Sequence, residues 1–236
     1  MTTVVLVRHG LTAMTGPVLA GWTPGLHLDE RGQAQAAAVA ERLGPLPLAA
    51  VVSSPLDRCL DTAGAIAAAR KAPLDVQVEE RLGECRYGDW TGRPLKELAK
   101  DPLWPVVQAH PSAVTFPGPE GEPLRETQAR AVAALRDWDA RLGAEAGPDA
   151  VWVACSHGDV IKAVVADALG LHLDLFQRIT VDPCSVTVVR YTPLRPFVLR
   201  LNDTGGGVAD LVPPKRRGRR RKAASDAPVG GGAGAA

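Results

Sequence analysis

The stretch TVVLVRHG, residues 3–10, decides the fold. Its apolar part, residues 4–7, is rich in β-branched side chains, and a charged, glycine-containing segment follows it at once. Such a run predicts a strand that is buried on both faces, as in a parallel sheet. It is also far shorter than the roughly 20 apolar residues that a membrane-spanning helix needs.

Strands and helices alternate along the chain that follows. A helix over residues 30–43 is bounded by Asp29 as its N-cap and by Gly44 and Pro45 after its end. Further helices are predicted at residues 56–69, 124–142 and 159–169, and further strands at residues 48–52, 76–78, 151–155, 185–191 and 197–201. Residues 94–123 are interrupted by prolines and hold two short helical pieces. The alternation predicts an α/β fold, a three-layer sandwich with a mainly parallel central sheet and helices on both faces.

The composition is that of one globular domain followed by a basic tail. Hydrophobic residues make up 46% of the chain and charged residues 22%, which is enough apolar material for a sizeable core. The net charge of +1 conceals an asymmetry, because residues 215–236 hold seven Lys or Arg and one Asp. We therefore expect a mildly acidic domain over residues 1–204 and a disordered basic tail over residues 205–236.

The cysteines and the N-terminus limit the class of protein. The four cysteines lie far apart and form no C-x-x-C pair, so neither structural zinc nor a disulfide framework is expected. The first residues show no basic segment followed by a long apolar run, so we expect no export signal and no membrane partner. The sequence favours a cytoplasmic protein.

Two His-Gly steps each follow a predicted strand. His9-Gly10 comes after the first strand, and His157-Gly158 comes after the strand at residues 151–155. Ligands of open α/β sheets bind beyond the carboxyl ends of the strands. One such histidine would be weak evidence for a site, whereas two, each followed by a Gly that lets the backbone turn closely, are better evidence.

Two further segments add charged groups that suit an anion. Arg58 lies in the first turn of the helix after the second strand, where unpaired N–H groups and the helix dipole attract anions. Its guanidinium offers a planar, two-point grip on phosphate. The glycine-rich loop over residues 83–92 holds the carboxyl group of Glu84 in a tight turn, and Asp89 in the same loop is an alternative carboxyl group.

These segments together resemble a known family. The motifs at residues 8–10, 53–63, 83–92 and 156–158 are similar, in order and approximate spacing, to those of the histidine phosphatase superfamily, in its phosphoglycerate-mutase-like branch. The similarity extends over residues 3 to about 203. It implies the phosphoglycerate-mutase-like fold, makes residues 1–204 the catalytic domain, and implies phosphoryl transfer through a phosphohistidine.

The resemblance also implies a role for each matching residue. His9 would be the nucleophile, and Glu84 would protonate the leaving group and later activate water. Arg8, Arg58 and His157 would complete the catalytic set. The implied phosphate-binding residues are Arg8, Thr12, Thr15, Arg58, His157 and Gly158. No metal and no cofactor is expected.

Elementary chemistry agrees with these roles. Imidazole is nucleophilic only when neutral, and a hydrogen bond from one ring nitrogen to a backbone carbonyl would direct the other nitrogen at phosphorus. Two guanidinium groups and a second imidazole can stabilise the transferring phosphoryl group without Mg²⁺. Glu84 must carry a raised pKa to serve as an acid, and a bound phosphate dianion would contribute to that rise.

Two departures bear on the reaction. Many relatives have an Asn where this chain has Thr15, and the segment between Glu84 and Ser156 is shorter than expected for cofactor-dependent phosphoglycerate mutases. Both features favour a phosphatase. The run Ala20-Gly21-Trp22-Thr23-Pro24, in contrast, is similar to the Gly-Trp-Thr segment of the mutases.

The sequence therefore leaves three hypotheses. The first is a metal-independent phosphatase acting on a small phosphorylated metabolite, the second is a phosphomutase of the same fold, and the third is a non-catalytic adaptor that uses the basic tail. The tail has no aromatic residues to stack on bases, so we do not expect nucleic-acid binding beyond a weak attraction to polyanions. A homodimer is compatible with the resemblance.

Overall fold

A six-stranded sheet forms the centre of the protein in the computed structural model, which describes residues 2–206 and 229–232. The strands are β1 (Thr3–Arg8), β2 (Leu48–Ser53), β3 (Val76–Val78), β4 (Val151–Ser156), β5 (Val186–Tyr191) and β6 (Pro196–Asp203). Their order is β3-β2-β4-β1-β5-β6. The first four are mutually parallel, and β5 and β6 add an antiparallel hairpin at one edge.

The helices cover both faces of this sheet. They are α1 (Glu30–Leu43), α2 (Asp57–Ala68), α3 (Leu95–Leu98), α4 (Trp104–Ala109), α5 (Leu124–Glu145) and α6 (Gly158–Ala168). The predicted three-layer α/β sandwich is confirmed. The two short helical pieces expected between the prolines are α3 and α4.

Alternation along β1 divides the core into two layers. Val4 and Leu6 pack into the cluster that contains the buried side chains of α5 and α6. Val5 and Val7 point the other way, into the cluster formed by α1 and α2. All four side chains are at most 2% exposed. A strand with apolar residues on both faces can be satisfied only between two helical layers, which is why β1 is central.

The turn after β1 depends on a close backbone approach to α1. A Cβ placed on Gly10 would lie 2.6 Å from the carbonyl oxygen of Gly32, which is closer than real Cβ atoms come. Asp29 caps the same helix, because its Oδ1 accepts the N–H of Gly32 at 2.8 Å. The capped start of α1 therefore packs directly against the His9-Gly10 step and holds it at the carboxyl end of β1.

The predicted boundaries are correct to within a few residues. Helix α2 begins at Asp57 rather than at Leu56, because Leu56 has extended backbone angles and serves as the N-cap. Helix α6 begins one residue early, at Gly158, and α5 runs on to Glu145. Among the described residues, no helix combines the length and apolarity that crossing a membrane requires.

The tail lies largely beyond the described residues. The predicted disorder of residues 205–236 concerns mainly residues 207–228 and 233–236, which lie outside that set. Within the predicted tail, residues 229–232 are described, and they pack against α6 and Arg8.

Candidate active site

Strand pairing brings the two His-Gly steps together. Strands β1 and β4 are parallel neighbours, with Arg8 opposite Ser156 at their ends. The N–H of His9 donates to the carbonyl oxygen of Ser156 at 3.0 Å, which continues the ladder by one residue. The rings of His9 and His157 consequently lie with their centroids 5.2 Å apart. The sheet, rather than any local motif, creates this pair.

His9 is held as a neutral imidazole with a defined proton position. Its Nδ1 lies 2.8 Å from the carbonyl oxygen of Gly10, and because a carbonyl can only accept, Nδ1 must carry the proton. Nε2 then bears the lone pair. Burial of the ring lowers the pKa of His9 well below its usual range, and the charges of Arg58 and Arg8 lower it further. A neutral ring with an unprotonated Nε2 is the form in which imidazole is nucleophilic.

Arg58 connects the two histidines. It is the second residue of α2 and is 1% exposed, so its side chain reaches from the helix N-terminus into the protein. Its Nε donates to His9 Nε2 at 3.3 Å, and its Nη2 donates to His157 Nδ1 at 3.2 Å and to the carbonyl of Gly21 at 2.8 Å. Within the described part of the chain, its buried Nη1 has no hydrogen-bond partner.

His157 has the opposite tautomer. Its Nδ1 accepts from Arg58, so the proton of the neutral ring resides on Nε2 and is donated to Ser54 Oγ at 2.7 Å. Burial lowers the pKa of His157 well below its usual range, and the nearby Arg58 charge adds to this effect. A carboxylate oxygen of Glu84 lies 3.9 Å from Nδ1. His157 is therefore a fully buried side chain next to the cavity and not a solvent-exposed one.

Glu84 supplies the carboxyl group of the site. It is 4% exposed, and its Oε1 accepts the N–H of Cys85 at 3.0 Å. Burial raises the pKa of Glu84 to about 7, and the charge of Asp159 adds to the rise, while Arg58 and Arg8 oppose it. Near neutral pH a substantial fraction of Glu84 is protonated, as a proton donor requires.

A second guanidinium, that of Arg8, belongs to the residue directly before His9 and also lines the cavity. Arg8 is 1% exposed, and its Nη1 donates to the carbonyl of Val181 at 2.8 Å. Nη1 and Nη2 also donate to two carbonyl oxygens of the C-terminal segment, those of Gly231 and Gly232, each at 2.6 Å. Both ends of the guanidinium are therefore engaged by backbone carbonyls.

The threonines of the loop after His9 support each other. The N–H of Thr12 donates to Thr15 Oγ1 at 3.0 Å, and the two hydroxyl oxygens lie 2.9 Å apart. Thr12 is 1% exposed. Thr15, which stands where many relatives have Asn, thus orders the loop through its hydroxyl.

Eight candidate site residues were predicted from the sequence. Six of them line a single cavity, and the other two lie beside it. The lining includes Arg8, His9, Thr12, Thr15, Arg58 and Glu84. His157 contacts Arg58 next to the cavity, and Gly158 packs against Gly231 at the start of α6.

The alternatives left open by the sequence differ sharply in their surroundings. Asp89 is exposed and does not line the cavity, whereas Glu84 is buried in it. Arg58 also makes no ion pair with the aspartates of its own helix. Asp57 accepts the N–H of Gly25, and Asp61 accepts from His27, so neither aspartate on α2 contacts Arg58.

Sequence reasoning missed a buried carboxylate, Asp159, which is 2% exposed. Its Oδ2 accepts the hydroxyl of Tyr87 at 2.8 Å, and Lys162 Nζ lies 3.4 Å from its Oδ1. Asp159 directly follows the His157-Gly158 step, and this proximity was the available signal. It reads as an ordinary acidic residue in the first turn of a helix, so only the fold reveals that it faces Glu84 and Tyr87.

Comparison with known proteins agrees with this geometry. The model of the histidine phosphatase superfamily (branch 1) matches residues 4–204. The chain is 32% identical over 217 residues to phosphoserine phosphatase 1 of Hydrogenobacter thermophilus, covering 86% of this chain and 93% of that protein. It is 28% identical over 187 residues to 2,3-bisphosphoglycerate-dependent phosphoglycerate mutase 2 of Gloeobacter violaceus, covering 78% and 83%.

A solved structure extends the likeness to the fold. The mycobacterial glucosyl-3-phosphoglycerate phosphatase superimposes with a TM-score of 0.72 at 27% identity, covering 85% of this chain and 98% of that chain. The chain spans about half the length, 54%, of the first curated relatives it matches, which include a bifunctional protein of Mycobacterium tuberculosis. The resemblance seen in the four motifs is confirmed over nearly the whole described domain, and the chain belongs to the histidine phosphatase superfamily, branch 1.

Proposed function

We propose that this protein is a metal-independent phosphatase that hydrolyses a small phosphomonoester through a phosphohistidine on His9. The observation that carries the proposal is the pairing of a neutral His9, whose Nδ1 is committed to Gly10, with the guanidinium of Arg58. Among the described residues, Nη1 of Arg58 has no partner, and it is a buried N–H donor on the same guanidinium. An oxygen of the transferring phosphoryl group would satisfy it.

In the first step His9 Nε2 forms a bond to phosphorus as the bond from phosphorus to the ester oxygen breaks. Glu84 gives its proton to that oxygen, so the product leaves as a neutral alcohol. The His9 ring becomes cationic, and its Nδ1 proton stays hydrogen-bonded to the Gly10 carbonyl. Arg8 and Arg58 stabilise the negative charge on the phosphoryl oxygens.

In the second step a water molecule attacks phosphorus and passes a proton to Glu84, which the first step left as a carboxylate. The bond between phosphorus and Nε2 breaks, its electron pair returns to the imidazole, and inorganic phosphate leaves. Glu84 is then protonated and His9 neutral, as at the start. A carboxyl group with a pKa of about 7 can serve both steps near neutral pH.

A phosphomutase is the second candidate. It is favoured by the phosphoglycerate mutase among the relatives, and by the run at residues 20–24, part of which lines the cavity. A mutase would return the phosphoryl group to a second hydroxyl before water reaches it. The shorter segment between Glu84 and Ser156 and the Thr at position 15 favour hydrolysis instead.

The names of the relatives suggest which substrates to try. Phosphoserine, phosphoglycerate and glucosyl-3-phosphoglycerate are all phosphate esters of small polar molecules. We propose a substrate of this class. The cytoplasmic location, the homodimer and the absence of a nucleic-acid partner stay predictions from the sequence.

The test is phosphate release from a panel of these esters in the presence of EDTA, comparing the full chain with His9→Ala. His110→Ala is the matched control, because His110 is exposed and lies outside the cavity. We expect turnover that survives EDTA and is retained by His110→Ala, but is lost in His9→Ala. Brief incubation with labelled substrate should also leave acid-labile label on the wild type and none on His9→Ala.

Each other outcome points to a specific rival. Label on His9 that moves to an added acceptor alcohol, without release of phosphate, would establish the mutase. If neither label nor phosphate release is found with any ester, and deletion of the tail abolishes the cellular role, the adaptor hypothesis would replace both.

A further inference from the structure

The cavity already holds part of the protein's own chain. Val229 is 2% exposed, and Val229, Gly230 and Gly232 line the cavity together with Arg8 and His9. The segment formed by residues 229–232 also contacts α6. A short stretch from far beyond the last strand is thus buried at the carboxyl ends of β1 and β4.

Two contacts of this segment are of the kind that a substrate phosphate would make with Arg8. Arg8 Nη1 donates to the carbonyl oxygen of Gly231 at 2.6 Å, and Arg8 Nη2 donates to that of Gly232 at 2.6 Å. Two acceptors side by side on one guanidinium reproduce the two-point grip that Arg makes on phosphate. On the donor side, the N–H of Gly230 donates to Asp159 Oδ2 at 3.0 Å.

The fit depends on glycine. Gly230 and Gly231 have φ angles of 73° and 85°, in the left-handed region that other residues rarely adopt. A Cβ on Gly231 would lie 2.9 Å from Cα of Gly158 and 3.1 Å from Cζ of Arg8. A run of glycines is therefore what allows the backbone itself, rather than a side chain, to reach the guanidinium.

A phosphate and this segment cannot bind Arg8 in the same way at the same time. Nη1 and Nη2 each donate to a carbonyl oxygen of the segment, so an incoming phosphate must displace those carbonyls. A neutral carbonyl is a weaker partner for a cation than a dianion is. The segment should therefore reduce phosphate affinity without preventing binding.

We propose that residues 229–232 form an internal competitor that occupies the phosphate-binding end of the active site, and that the protein binds phosphate esters only when this segment leaves. The expected effects on enzyme kinetics rest on the proposed function. The presence of residues 229–232 in the cavity does not depend on it. The segment acts within its own chain. Residues 207–228 join it to the domain, and a chain of that length can span up to roughly 70 Å.

The effect follows from simple population arithmetic. An apparent dissociation constant equals the intrinsic one divided by the fraction of open sites. If the segment occupies the site about nine-tenths of the time, its removal tightens phosphate binding roughly tenfold. The same factor lowers KM for a small ester, while kcat stays unchanged because the open site is the same.

Inorganic phosphate titration by calorimetry tests the occupancy directly. The full chain is compared with a chain ended after Pro228 and with Gly231→Ala. Gly206→Ala is the matched control, because an added methyl there meets nothing within 4 Å. We expect tighter phosphate binding in the first two variants, by up to roughly tenfold, and no change in Gly206→Ala.

A peptide of residues 225–232 supplies the converse experiment. Added to the shortened chain, it should weaken phosphate binding and raise KM for a small ester without changing kcat, and the same peptide with Ala at position 231 should do neither. Equal phosphate affinity in all variants, or weaker binding after truncation, would overturn the proposal. Because the titration needs no turnover, a failure of the proposed hydrolysis would be seen separately, as a chain that binds phosphate but releases none.

Discussion

The guanidinium of Arg58 donates its Nε–H to Nε2 of His9 across 3.3 Å. The unprotonated nitrogen that would attack phosphorus thus accepts a hydrogen bond from the group that would stabilise the phosphoryl oxygens. The same guanidinium reaches His157, so one side chain spans both His-Gly steps. A change at position 58 should therefore disturb both histidines at once.

Replacing Arg58 by Lys should lower kcat/KM by roughly 10²-fold to 10³-fold, in the range seen when one transition-state donor is lost. Lysine keeps the charge but offers a single point donor, which cannot contact both histidines and the phosphate together. Steady-state kinetics on the best ester measures the effect. Arg31→Lys, on the exposed surface of α1, is the control. A loss of less than about threefold would mean that a positive charge at position 58 is enough for activity and that the geometry of the guanidinium is not needed.

Replacing Glu84 by Gln should remove the alkaline limb of the pH profile. The proposed mechanism requires the acid form of Glu84, whose pKa is about 7, so wild-type kcat/KM should fall as pH rises through that value. The amide of the variant cannot ionise, so its residual activity should be nearly independent of pH there. Asp89→Asn, in the same loop but exposed, should keep the wild-type limb. If Asp89→Asn flattened the profile instead, the acid would be misassigned.

Replacing Asp159 by Asn should move the same limb to lower pH. The charge of Asp159 is the second largest cause, after burial, of the raised pKa of Glu84. Removing that charge lowers the pKa of Glu84, while the amide oxygen can still accept from Tyr87. The pH dependence of kcat/KM provides the readout, since lost packing would change the height of the profile rather than its midpoint. An unmoved midpoint would show that the two carboxyl groups do not interact.

Replacing Thr15 by Val should destabilise the loop after His9. The N–H of Thr12 would lose its partner, and the Thr12 hydroxyl would keep only the N–H of Met14; an unsatisfied buried polar group costs about 1–3 kcal/mol. Urea unfolding should show this loss, and Thr15→Ser, which keeps the hydroxyl, should recover most of it. Equal stability of the Val and Ser variants would contradict the role assigned to the hydroxyl.

Local sequence patterns were sufficient for the fold class and for naming the candidate residues. A buried run such as residues 4–7 specifies a central strand because neither of its faces tolerates water, and that property is visible in the letters alone. The His-Gly steps could be placed at strand ends for the same reason. Helix boundaries were less accurate, as at Leu56, because the backbone angles of one terminal residue depend on what it packs against.

Contacts between distant segments could not be read in the same way. Asp159 reads as a helix-start acid, and its effect on Glu84 arises only because β4 and the loop after β3 meet at one end of the sheet. From the sequence, residues 229–232 are simply part of the tail. Only the structure shows that their glycines allow the backbone to approach Arg8 and Gly158 closely. The sequence by itself determined the layers and the chemical groups, since these follow from periodicity and residue type, and its four motifs carried the resemblance to the family. The tertiary structure decided the proton positions, the pKa of the acid and the occupant of the site, because each depends on distances between groups far apart in the chain.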